Sequence, residues 1–258
     1  MKMKTFIAIA IFIAGTSTAF AQQNNEKETG DLPVKTENRT IAAFDNIDIS
    51  GRFNVTLYNN ATPEVSVTTA EKYIGDVETK VEGKTLIIKM KNLIGNENVT
   101  IIDGIKTKYN DYFIRKPIEI KIGIGNISVI NLAGITNVES NETWRANELF
   151  LSFNEASKAR LIVEVSNKLD VNLSGASKLD VKGKATNFNI GVHGASSLQA
   201  KDLKSQHAKV ALSGAGRAEI FASESLDAEL KSASKLICTG SPKSIKQNAS
   251  MGTSISVK

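Results

Sequence analysis

From Ile41 onward, apolar and polar residues alternate with a period of two. Ile47-Asp48-Ile49-Ser50-Gly51 and Phe53-Asn54-Val55-Thr56-Leu57 are two such runs, Val65-Ser66-Val67 is a third, and Lys84 to Met90 is a fourth, preceded by a turn at Glu82-Gly83. Residues two apart share one face of a strand, so each run predicts a strand with one buried and one solvated face. Past residue 40 no stretch keeps a long 3.6-residue apolar period with caps. The expected fold is therefore all-β.

Sliding the second half of the chain against itself reveals a repeat. NEASKARL, SGASKLDV, HGASSLQA, SGAGRAEI, KSASKLIC and SMGTSISV align on Ala156, Ala176, Ala195, Ala215, Ala233 and Gly252, at spacings of 20, 19, 20, 18 and 19 residues, with a weaker copy, LAGITNV, around Gly134. A period this short, with no helix and no leucine-rich consensus, fits one coil of a β-solenoid. After each turn the third position holds Ala159, Leu179, Leu198, Ala218, Leu236 and Ile255, and the fifth holds Leu161, Val181, Ala200, Ile220, Cys238 and Val257. Before the turn stand Phe153, Leu173, Val192, Leu212 and Leu230. These three columns are expected to point inward, and Arg160, Asp180, Gln199, Glu219, Ile237 and Ser256 outward. The corner uses Gly, Ala and Ser because a tight bend needs permissive backbone angles and stacked corners leave little room. The fold expected is a parallel β-helix-like solenoid with coils of about 19–20 residues, at least five of them in residues 136–258, with N-terminal strands (41–135) packed at one end.

The first residues follow a different logic. Lys2 and Lys4 precede an apolar run from Phe6 to Ala14, and Ala19-Phe20-Ala21 is a small-x-small cleavage site, so residues 1–21 read as a cleavable signal peptide. Gln22, not Cys, follows the cut, which closes the lipoprotein route. Residues 22–40 are polar, contain Pro33 and lack periodicity, and read as a flexible leader. No later segment is long and apolar enough to be a transmembrane helix. The expected location is the periplasm, the cell surface or the medium. Removing the two leader lysines lowers the formal charge from +5 to +3, too little to argue for nucleic acid. One Cys and two His leave no disulfide framework and little material for a metal site, so no cofactor is expected.

The order of FDNIDISGRFNVTLYNN, VEGKTLIIKM, IEIKIGIGNISVINLAGITNV and the serial SGAS turns resembles the DUF2807 family of autotransporter adhesin head (GIN) domains, over roughly residues 41–258. The resemblance implies a parallel β-helix-like fold in secreted or surface proteins of Bacteroidetes-type bacteria, and no catalytic residues. Two departures stand out: Asn154-Glu155 replaces Ser-Gly in the first full turn, and residues 91–116 form a longer, more polar excursion.

Two features are candidates for binding, with the aromatic-basic excursion expected to carry recognition and a basic ladder to be the weaker second contact. Lys158, Lys178, Arg217 and Lys235 share the column just after the corner, interrupted by Ser197 and ended by Ser254. A basic ladder there suits an acidic glycan or another polyanion, while the competing reading is that it only keeps the solenoid soluble and its edges unpaired. In the excursion, Tyr109, Tyr112 and Phe113 lie among Lys106, Lys108, Arg115 and Lys116, where aromatics stack on rings and cations hold acidic groups; the alternative is a packed strand. Cys238 sits in an apolar column and reads as a buried small hydrophobe. His193 reads as exposed and unpaired, and His207 as lying in a loop between coils. Asp180 and Glu219 are separated by the Gln199 coil, which argues against a metal cluster, and nothing assembles a hydrolytic triad. The expectation is an exported, non-catalytic envelope or surface protein, adhesin-like, with a glycan, polyanion or surface protein as partner. The alternatives are a β-helix carbohydrate-active enzyme and a structural envelope protein without ligand.

Overall fold

The structure, a computed structural model, describes residues 32–91 and 117–258. Eighteen strands and one short 3-10 helix run through these residues. Two series of parallel strands make up the coils. Before the turn, β2 (Asn46–Gly51), β8 (Val129–Gly134), β9 (Asn137–Phe153), β10 (Lys158–Leu173), β11 (Lys178–Val192), β13 (Leu203–Leu212), β15 (Ser225–Leu230) and β17 (Ser244–Ala249) pair in succession. After it, β3 (Phe53–Asn59), β9, β10, β11, β12 (Ser197–Ala200), β14 (Arg217–Phe221), β16 (Lys235–Thr239) and β18 (Ser254–Val257) do the same. About six solenoid turns lie in the C-terminal part. The fold is the all-β solenoid that the repeat predicts, and the pairing Ala159↔Leu179 and Leu179↔Leu198 is the same alignment that the sequence columns give.

The three inward columns form the core. Phe153, Leu173, Leu179, Val181, Val192, Leu198, Ala200, Ile220, Leu236 and Cys238 have no exposed surface. Only at the last coil does burial fail, where Ile255 and Val257 are half-buried. A single coil buries its inward side chains only against the coils above and below it, so the stack is the unit of stability.

The turns are built on a left-handed residue. Gly134, Gly175, Gly194 and Gly214 take φ between 69° and 79°, and Glu155 (62°) and Ser232 (64°) take the same conformation in their coils. The carbonyls of the four glycines and of Glu155 each accept the N–H of the residue one step on in the next coil: Ala156 N to Gly134 O, Ala176 N to Glu155 O, Ala195 N to Gly175 O, Ala215 N to Gly194 O and Ala233 N to Gly214 O, at 2.6–3.0 Å. Behind this ladder runs a column of buried hydroxyls. Thr136, Ser157, Ser177 and Ser234 each donate to the carbonyl three residues earlier at 2.8–3.0 Å, closing their own turns.

Antiparallel strands continue the stack beyond β2 and β3. β6 (Thr85–Met90) pairs in parallel with β2 and antiparallel with β5 (Val77–Glu82); β7 (Ile118–Ile124) pairs in parallel with β3 and antiparallel with β4 (Glu64–Ala70). The 3-10 helix Glu71–Asp76 joins β4 to β5 and buries Tyr73 and Ile74. Residues 34–40, read from sequence as the end of the flexible leader, form β1 (Val34–Thr40), antiparallel to β4 from Val34↔Ala70 to Thr40↔Glu64. Its sequence, VKTENRT, carries no apolar alternation because backbone pairing holds it. Arg39 adds hydrogen bonds to the carbonyls of Ile74 (2.8 Å) and Val77 (2.5 Å). His207 also departs from expectation: it lies within β13, paired with Asn187 and Ser225, at a corner where two successive residues, Gln206 and His207, face outward. That doubled outward step breaks the period-two signal and makes the strand read as a loop.

Candidate functional site

The register places Lys158, Lys178, Ser197, Arg217, Lys235 and Ser254 side by side in one column, continuing from Asn54 and Asn137. Adjacent members are one strand spacing apart, about 4.8 Å. All four cations are exposed. Some other cross-coil contacts are neutralised. Arg145, Glu164 and Lys184 stand opposite one another and form ion pairs at 3.0 and 3.7 Å, Arg160 pairs with Glu139 at 3.7 Å, and Lys246 with Asp227 at 3.9 Å. The four cations of the column have no ion pair among the described residues, although stacked like charges repel.

Two positions along each strand, on the same face, runs a column of acceptors: Asp180, Gln199 and Glu219 follow Arg160 in register. Asp180 stands between Lys178 and Lys182 on its own strand without an ion pair to either. The N-terminal part of this face is a groove of about 500 Å³ lined by Asn54, Glu119, Glu139, Lys158, Lys178 and Asp180, among others. Asn54 donates to Glu119 at 2.8 Å and receives a bond from Asn137 at 3.0 Å, so the floor of the groove is polar and hydrogen-bonded. The interleaving of Lys178, Asp180 and Lys182 is visible as alternation in the sequence, but which columns lie adjacent required the register. Further along, Lys204 lies over the Phe221 ring at 4.0 Å.

Lys106, Lys108, Tyr109, Tyr112 and Phe113 lie outside the described residues. Cys238 is free and fully buried, and burial pushes its thiol above the ordinary value. His193 is exposed as expected but not unpaired: its Nδ1 lies 2.8 Å from the Ser213 hydroxyl of the next coil, and His207 makes the same contact with Ser225 at 2.9 Å. No group of three metal-ligating side chains occurs among the described residues, and among them no helix is long and apolar enough to cross a membrane.

A stack of parallel coils extended by antiparallel strands, with side chains presented in rows on its outer faces, defines a β-solenoid protein. The chain belongs to the DUF2807 family, described as "Putative auto-transporter adhesin, head GIN domain", whose model matches residues 43–242. A search of curated proteins finds no match. Among solved structures, a "putative adhesin" from Bacteroides fragilis is similar at 16% identity and a TM-score of 0.69, covering 89% of this chain and 100% of that one. A "putative adhesin" from Parabacteroides merdae follows at 15% and 0.63, covering 89% and 98%. A "putative lipid binding protein" from Parabacteroides distasonis stands at 18% and 0.63, covering 88% and 97%. At these identities the likeness is one of fold.

Proposed function

We propose that the protein is an exported, adhesin-like binding module of the cell envelope or surface, and that the face carrying Lys158, Lys178, Arg217 and Lys235 contacts its ligand, a glycan or another surface component. The observation that carries this reading is four exposed cations in one register column without ion pairs, whereas the column through Arg145, Glu164 and Lys184 is neutralised from coil to coil. A purely solubilising role would be served as well by charges neutralised across coils; leaving four like charges in register costs repulsion that an anionic ligand relieves. The signal-peptide pattern ending at Ala21 supports export. The test is a glycan array run beside a polysaccharide-degradation assay. Retention without turnover is expected, and replacing all four cations by Gln is expected to abolish retention at low salt. Turnover of any polymer would overturn the binding-module reading, and retention unchanged in the fourfold variant would move the site elsewhere.

A further inference from the structure

We infer that the ligand of this face is a linear acidic polysaccharide lying along the solenoid axis, its carboxylates on the cationic column and its hydroxyls on Asp180, Gln199 and Glu219. The inference rests on the reading of this face as the binding surface and adds the class of ligand.

The cations are periodic. Lys158, Lys178, Arg217 and Lys235 occupy four of five successive rungs, at about 4.8 Å per rung. A compact anion meets one or two rungs. A polymer with one negative charge per repeating unit meets them all, and the rung spacing is close to the rise of one hexose in an extended polysaccharide. Ser197, the uncharged rung, offers a hydroxyl in the same column.

The acceptors narrow the class of anion. Asp180 and Glu219 share the outer face with the cations, are partly buried, and form no ion pair among the described residues. Next to a polyphosphate, a nucleic acid strand or an anionic bilayer, these carboxylates would only repel. A uronic acid chain differs, because every ring carries hydroxyl donors beside its carboxylate. An ionised carboxylate is a strong acceptor for such hydroxyls. Gln199 between them accepts and donates, so the acceptor column continues through the rung where the charge lapses. The face thus has cations for the acid groups and acceptors for the ring hydroxyls, at one repeat.

The test uses the purified protein and four probes: polygalacturonate, neutral dextran, inorganic polyphosphate, and vesicles containing an anionic phospholipid. Polygalacturonate is expected to bind best, more tightly as chain length increases up to the length of the ladder, and more weakly as salt rises. The Lys178→Gln/Arg217→Gln variant should bind it about tenfold more weakly. Asp180→Ala/Glu219→Ala should also weaken it, while polyphosphate binding stays weak or rises. All four substituted positions are exposed or partly exposed, and circular dichroism of each variant checks that the fold is kept. Stronger polygalacturonate binding by the Asp180→Ala/Glu219→Ala variant overturns the inference, as does equal or better binding of polyphosphate or vesicles by the unsubstituted protein. If polygalacturonate is ignored but another surface ligand is lost on substituting Lys178 and Arg217, the ligand class is wrong and the binding face stands. If those substitutions change the binding of nothing, both readings fall.

Discussion

Glu155 stands where neighbouring coils have Gly175, Gly194 and Gly214, with the same left-handed backbone at φ 62°. A residue with a Cβ pays roughly 1–2 kcal/mol for that conformation, part of which is returned because Gly has more freedom to lose on folding. Glu155→Gly is therefore expected to stabilise the protein by about 0.5–1 kcal/mol, read as a higher denaturation midpoint. The reverse change one coil on is far worse. A Cβ at Gly175 would sit 2.6 Å from the Glu155 carbonyl oxygen, so Gly175→Ala should cost about 2 kcal/mol or more. Tyr58 gives a residue-scale signal in pH. Burial first, then its hydrogen bond to the Glu64 carboxylate, raises its pKa from 10.0 to about 12. The raised value means that Tyr58 supports the fold fully below pH 10 and loses that contribution as pH rises from 10 to about 12. Absorbance titration at alkaline pH should show one tyrosine titrating late, and Tyr58→Phe should remove it.

At the scale of the element, the turn with its hydroxyl is the recurring part. Ser177 is buried and donates to the Ser174 carbonyl at 2.8 Å, so Ser177→Ala should cost about 1–2 kcal/mol. Ser196, one coil on and equally buried, has no hydrogen-bond partner for its Oγ among the described residues. Ser196→Ala is accordingly expected to be neutral or slightly stabilising, a contrast that paired denaturation curves of the two variants would resolve. The inward columns were legible in the sequence because two periods coincide there: alternation fixes which side chains point in, and the repeat fixes what each one meets. The hydroxyl column was half legible. Ser recurs at the fourth turn position, but smallness explained it as well as bonding did, and only the 2.8 Å contact separates the two. β1 and β5 escaped because VKTENRT and VETKVE offer little or no apolar stripe, and their place comes from antiparallel pairing with β4 and β6. In the candidate site, the cationic column could be read from spacing alone. Its lack of ion pairs could not, because that depends on which rotamers reach across a rung.

Across the whole molecule, protection is graded. β10 and β11 have a coil on either side, whereas every residue of β17 is exposed. Hydrogen exchange should therefore be fastest in residues 244–258 and slowest in β10 and β11; uniform protection along the stack would contradict this. The turn ladder has a consequence on the same scale. In the strands successive peptide groups point their dipoles in opposite directions along the axis and cancel. At the turn this alternation breaks, because the Ser174 carbonyl is drawn back by Ser177 instead of reaching the next coil. The peptide groups 134–135, 155–156, 175–176, 194–195 and 214–215 all direct N–H toward the preceding coil and C=O toward the following one. Hydrogen-bonded head to tail, they add as the peptide units of a helix do. The solenoid thus carries a macrodipole along its turn edge, positive toward the Gly51 end and negative toward the C-terminal coils, and a polymer with two different ends laid beside it meets a track with a direction.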